Sequence, residues 1–330
     1  MGLTPVVFLH LLADRRLNPG SVELRVGDGD LNDLLPLIAD ERFPAFVDEF
    51  PCLIAARCTK QFPPELLAAL LVAGCELTPE GTIFRSDETT KPVLPPTAQW
   101  LTGDWYLAPP PRTNGRQAAS RALSLKLLQR VAADADTHEI ESIFRQDPVL
   151  AYHLLRLVNS LGVGVGRSIS SFSQAILILG RQQLKRWLNL MLFAAGQDDY
   201  RAPMLLAHVT VRARRMELLA KAGGLDRSVQ DQAFMAGMFS LLGILFGMPL
   251  AEVLEPLNLG ATLSGAVLHG EGELGRLLHS IESLERADEV ELSANLDDMN
   301  LSPLDLNLIS LEAHQWMLGV IHDKQDVADA

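Results

Sequence analysis

Ala233–Ala251 reads AFMAGMFSLLGILFGMPLA, a run without a single charged side chain. It is just long enough to cross a bilayer. A membrane span, however, is expected to carry a Lys/Arg bias beside it. Here the near flanks hold Asp226, Asp231, Glu252 and Glu255, with Arg227 the one close cation. Gly237, Gly243, Gly247 and Pro249 interrupt the run, and Pro249 should end or kink a helix. A helix that is apolar all round is also what the centre of a helical domain looks like. The stretch therefore reads as a buried core helix, about Ser228–Phe246, rather than a membrane span.

Outward from this helix, the surrounding sequence is helical as well. Asp136 and Glu139 form a capping box, and Asp147-Pro148 supplies a cap and a first-turn proline before VLAYHLLRLVNS. Ser170 or Ser171 can cap SFSQAILIL, and Gly180 can stop it before RQQLKRWLNLMLFAA. A long helix is expected at about Pro203–Ala222, and Ser302-Pro303 opens a last one running towards His322. Upstream the pattern changes. Most prolines and all three cysteines precede residue 112, whereas every histidine but His10 follows it. Ser21–Val26, Cys52–Ala56 and Cys75–Thr78 read as strands, while Asp30–Ala39 and Pro63–Ala73 read as helices. Pro109-Pro110-Pro111 marks a stiff hinge. The expected fold is α+β overall: a small α/β unit at 1–111, then a mainly α-helical bundle at 112–330.

The chain has 330 residues, with 41 acidic against 28 basic ones and a formal net charge of -13. That balance disfavours a nucleic-acid partner, which requires a positive surface, and docking on an anionic membrane. Three cysteines do not make a secreted disulfide framework, and MGLTPVVFLHLLADRR carries its charges after its apolar run, unlike a signal peptide. A cytoplasmic location is expected.

Motifs for chemistry are sparse. Gly162, Gly164 and Gly166 follow a helix and lack dinucleotide spacing, so they read as a turn. Cys52, Cys58 and Cys75 have no zinc-site spacing and read as small core residues. Basic residues gather at Arg181, Lys185 and Arg186 and again at Arg212, Arg214 and Arg215. A solvated face balancing an acidic protein is the expected role, although a compact positive patch could also focus an anionic ligand. The histidines are scattered, and the one His-Asp pair is His322-Asp323, beyond the last periodic helix.

The helical half resembles the HDOD family, an output domain related to HD phosphohydrolases. The residues that carry the likeness are DPVLAYHLLRLVNS (147–160), SISSFSQAILILGRQQLKRWLNLMLFA (168–194) and AFMAGMFSLLGILFGMPLAEVL (233–254). GDWYLAPPP (103–111) and GELGRLLHSIESLERAD (272–288) are similar to proteins joining an EAL domain, the cyclic-di-GMP phosphodiesterase fold, to a C-terminal HDOD domain. The first unit would then be a shortened EAL-like remnant, about half a barrel long and without a Glu-Ala-Leu or Glu-Val-Leu tripeptide. The resemblance places His208 where HD enzymes carry their first histidine, and Ser240-Leu241 where their His-Asp pair should stand. A hydroxyl and a leucine do not replace an imidazole and a bridging carboxylate.

A non-catalytic signalling protein is therefore expected, with no cofactor and no metal, acting on protein partners through the helical module. A cyclic-di-GMP receptor and a residual metal phosphohydrolase are the alternatives. For a ligand or interaction surface, Asn159, Ser160, Arg167 and Ser168, with Arg181, Lys185 and Trp187 nearby, supply the donors.

Overall fold

The computed structural model describes residues 4–111, 126, 129–130, 133, 186, 189–190, 199–257, 259–299 and 301–321. Apart from Arg186, Asn189 and Leu190, the helices expected between residues 136 and 195 lie outside these, as do the glycine turn at 162–166 and Asn159, Ser160, Arg167, Ser168, Arg181, Lys185 and Trp187.

The first unit is a mixed sheet of six strands in the order β4-β3-β2-β1-β6-β5. These are β1 (Val7–Ala13), β2 (Pro19–Val26), β3 (Cys52–Ala55), β4 (Glu76–Thr78), β5 (Ile83–Arg85) and β6 (Trp100–Thr102). β1 runs antiparallel to β2, from Val7↔Val26 to Ala13↔Pro19, and antiparallel to β6 at Ala13↔Leu101. The pairs β2–β3, β3–β4 and β5–β6 are parallel. Helices α1 (Leu35–Ala39), α2 (Arg42–Glu49) and α3 (Pro64–Val72) supply the crossovers. The Asp30 carboxylate caps the 3₁₀ turn that leads into α1, accepting from the Asn32 N–H. Cys52 and Cys75 are buried free thiols.

The described helical region begins with α4 (Ala202–Ala222), the axis of the bundle. Around it lie α5 (Arg227–Phe239), α6 (Leu242–Phe246), α7 (Leu250–Leu254), α8 (Ala261–His269), α9 (Gly272–Arg286), α10 (Glu289–Asp298) and α11 (Pro303–Ile321). The apolar run does not form the single helix expected. It breaks at Ser240-Leu241 into α5 and α6, and α6 ends at Gly247 in the left-handed conformation (φ 66°). Pro249 caps α7 instead of kinking a longer helix. Arg227–Phe246 is the one stretch among the described residues long and apolar enough to span a membrane, and half of it is buried against the rest of the protein.

α5 approaches α4 closely because Gly237 has no side chain. A Cβ there would stand 2.7 Å from the Ala213 Cα. A continuous apolar core joins the sheet to the helices, including Leu9, Phe46, Trp105, Leu205, Phe234, Leu277 and Leu318. Polar ties reinforce the junction. The buried Asn307 of α11 accepts from the Val7 N–H (2.8 Å) and donates to the Pro5 carbonyl (3.0 Å), extending the hydrogen bonding of β1 with a side-chain amide.

Candidate functional site: a buried ion-pair network between sheet and helices

The wall of the site is α4. His208, Arg212 and Arg215 recur at i, i+4 and i+7, so helical geometry aligns them on one stripe. That stripe faces inwards. Arg212 is 6% exposed and Arg215 5%. Arg186, 9% exposed, is buried in a second network, donating to Glu217 (2.9 Å) and to Asp231, with its guanidinium 4.5 Å over the Phe234 ring. The solvated basic face expected from sequence is thus corrected for these three arginines. In each case carboxylates from distant elements, or the close approach of the sheet, remove the side chain from water.

Arg212 is the hub of the first network. Its Nε donates to Glu285 Oε1 (3.0 Å) and its Nη2 to Glu285 Oε2, a bidentate pair between α4 and α9. Its Nη1 donates to Ser240 Oγ (2.9 Å), and that hydroxyl donates to the Gly237 carbonyl (2.8 Å). Glu282 lies 3.9 Å from Arg212 Nη1. Burial works against the guanidinium charge, but Glu285 and then Glu282 hold the pKa of Arg212 above its ordinary value. Burial likewise raises the Glu285 carboxyl. The charges of Arg212 and His208 outweigh that and hold it well below the usual carboxylate range.

His208 joins the same network from one turn earlier. Its Nε2 lies 3.5 Å from Glu285 Oε1, without hydrogen-bond alignment, and its Nδ1 lies 3.3 Å from the Tyr106 hydroxyl. His208 is therefore tied into a network rather than standing alone. The fold brings it to Ser240 through Arg212 and Glu285. Leu241 takes no part and is core, 4% exposed.

Tyr106 comes from the segment Trp105–Leu107, which follows β6 and packs on α4. Trp105 is fully buried, with its ring edge-on to Tyr106 and stacked on Tyr200. Burial pushes the Tyr106 phenol up, with Glu285 adding to the effect, so it stays protonated. Fully buried Arg201 then anchors the following residues. It holds Asp199 and donates to the carbonyls of Ala108 and Ile244.

Sequence reasoning missed Tyr106, Arg212 and Glu285 as members of this site. The signal for Arg212 was its spacing of four from His208. Nothing local marks Glu285, which reaches the site because α9 packs across both α4 and α5. Both oxygens of Glu285 and both sides of the Ser240 hydroxyl are engaged, so the arrangement acts as a clamp joining three helices and the Trp105–Leu107 turn.

Residues 122–255 match the HDOD domain. His208, Arg212, Ser240 and Leu241 fall inside it, whereas Tyr106 and Glu285 reach the network from outside the HDOD boundaries.

The chain is 30% identical over 196 residues to the cyclic di-GMP phosphodiesterase CdgJ of Vibrio cholerae, covering 59% of this chain and 45% of that one. It is 25% identical over 193 residues to the uncharacterised protein YuxH of Bacillus subtilis, covering 58% and 44%. The matches thus span less than half the length of these relatives. The structure of a putative phosphohydrolase from Shewanella amazonensis superposes with a TM-score of 0.41 and 15% identity, covering 61% of this chain and 93% of that one.

Proposed function

We propose that the chain is a non-catalytic bacterial signalling protein, cytoplasmic, whose HDOD domain works by contacting protein partners. On this reading the sheet unit is a shortened EAL-like remnant built onto the helical module. The HDOD domain and the likeness to CdgJ, named a cyclic di-GMP phosphodiesterase, support a signalling role.

The single observation that carries the non-catalytic part is the Arg212–Glu285 pair. A permanent guanidinium stands beside His208 and Ser240, where the resemblance to HD enzymes would put metal ligands. A cation there repels a divalent ion, Leu241 offers no donor atom, and Glu285 is already saturated. Among the described residues, the side chains around His208 and Ser240 do not fit a two-metal centre.

The test is hydrolysis of cyclic-di-GMP by the full chain with Mg²⁺ or Mn²⁺ supplied. No turnover above background is expected; turnover that disappears in His208→Ala would overturn the reading. A second reading, a cyclic-di-GMP receptor without hydrolysis, is favoured by the same relative. Calorimetry separates the two, because saturable heat with the dinucleotide and no turnover would establish the receptor.

A further inference from the structure

β4 ends the strand order beside β3, and the register of this parallel pair brings two thiols together. Leu53↔Glu76, Ile54↔Leu77 and Ala55↔Thr78 are partners along it. One residue earlier on each side stand Cys52 and Cys75, so the two share the next rung. That rung is held from both ends. Cys52 is also partnered with Val22 of β2, and the Cys75 N–H donates to the Leu70 carbonyl of α3 (2.9 Å). Residues on one rung of a parallel pair point to the same face, and neighbouring strands lie about 4.8 Å apart. This spacing is inside the Cα separation of about 4.4–6.8 Å that a disulfide spans. Both side chains are buried free thiols.

From this register we infer that Cys52 and Cys75 form a modification site, oxidised by a hydroperoxide to an intrachain disulfide that ties β4 to β3. A hydrogen bond to Cys75, and then burial, hold the Cys52 thiol well above its ordinary value, so Cys52 keeps its proton and Cys75 is the attacking sulfur. Cys75 takes the terminal oxygen of the peroxide and becomes a sulfenic acid, while the O–O bond breaks and the other oxygen leaves as water or an alcohol. Cys52 then attacks the Cys75 sulfur. The S–O bond breaks, and the hydroxyl leaves with the Cys52 proton as water. Each sulfur gives up one electron, and the peroxide takes both.

An oxidant reaches the pair through the corner of the sheet around β4. The strand has three residues, and Leu77 within it and Val72 at the end of α3 are 44% and 89% exposed, so little packing holds this edge shut. Cys58, in the turn after β3, is partly exposed but stands off the rung. In a reducing compartment the bond is transient, a reversible mark of oxidant exposure. The site is independent of the signalling reading and lies in the sheet unit, outside the HDOD match at 122–255.

The test is peptide mapping of the full, reduced chain after exposure to hydrogen peroxide in native buffer, followed by an acid quench and alkylation in urea. One cross-link is expected, between Cys52 and Cys75, with Cys58 alkylated and the bond reversed by dithiothreitol. Cys58→Ser, a change at a partly exposed position, should form the same bond at an unchanged rate. Loss of the bond in that variant would overturn the proposal. So would a major product that pairs Cys58, a sulfinic acid on one sulfur in place of the cross-link, or two thiols still free under conditions that oxidise the urea-unfolded chain. The oxidised chain should also melt several degrees above the reduced one, because the bond closes the loop that carries α3. An unchanged or lower Tm would overturn the in-register placement on which the site rests.

Discussion

At the residue scale the decisive side chain is Arg212, because its buried pair with Glu285 ties α4 to α9. Removing one partner of a buried pair leaves the other charged and dry, which costs about 3–5 kcal/mol. Glu285→Ala is therefore expected to lower the free energy of unfolding by that amount in urea titrations. The double variant Arg212→Met/Glu285→Leu should recover most of the loss, since neither charge remains. Ser240→Ala should cost only about 1 kcal/mol, one hydrogen bond to a charged donor that keeps its carboxylate. The clamp was half legible in the sequence. His208 and Ser240 stood out by position, but an arginine looks the same on paper whether solvent or a distant carboxylate receives it. The same ambiguity hid the burial of Arg186 and Arg215.

At the element scale the α4–α5 contact rests on Gly237. A side chain there would press on the Ala213 backbone, and the cost of overpacking is about 1–3 kcal/mol. Gly237→Val is expected to fall at or above the top of that range in thermal melts, and Gly237→Ala near its middle. Helices with strong end signals were readable to within a residue or two: Pro203–Ala222 was expected and Ala202–Ala222 is found, and Ser302-Pro303 does open α11. β2, β3 and β4 were likewise legible from alternation and turn residues. β1 was not, because PVVFLHLLA is apolar almost throughout; a strand covered on both faces shows no period of two. β5 and β6 are three residues each and too short to carry a pattern. The break at Ser240 was also hidden, since glycines and a proline punctuate the run elsewhere and the serine is held by Arg212 from another helix.

At the scale of the whole molecule, the polar seam between sheet and helices makes stability depend on pH. His10 and His314 are held neutral in the fold, at about 4 and about 3, against an unfolded value of 6.5. A depressed histidine pKa means that the unfolded chain binds more protons. Stability is thus complete above about pH 6.5 and declines as the pH falls towards 4, by up to about 1.4 kcal/mol per pH unit for each imidazole. Glu285, with its carboxyl held low, adds a loss of the same sign at more acid pH. Urea unfolding between pH 7 and pH 4.5 should show the decline, and His314→Gln should flatten it. The seam also joins parts of the chain that are made at very different times. Asn307, near the C-terminal side of everything described, supplies the hydrogen bonds that finish β1 at Val7, a separation of 300 residues. During synthesis β1 therefore waits for α11 before its hydrogen bonding is complete. Such long-range closure slows folding and leaves apolar strands uncovered meanwhile. In the cell, synthesis of this chain should lean on chaperones that hold nascent apolar segments until α11 arrives.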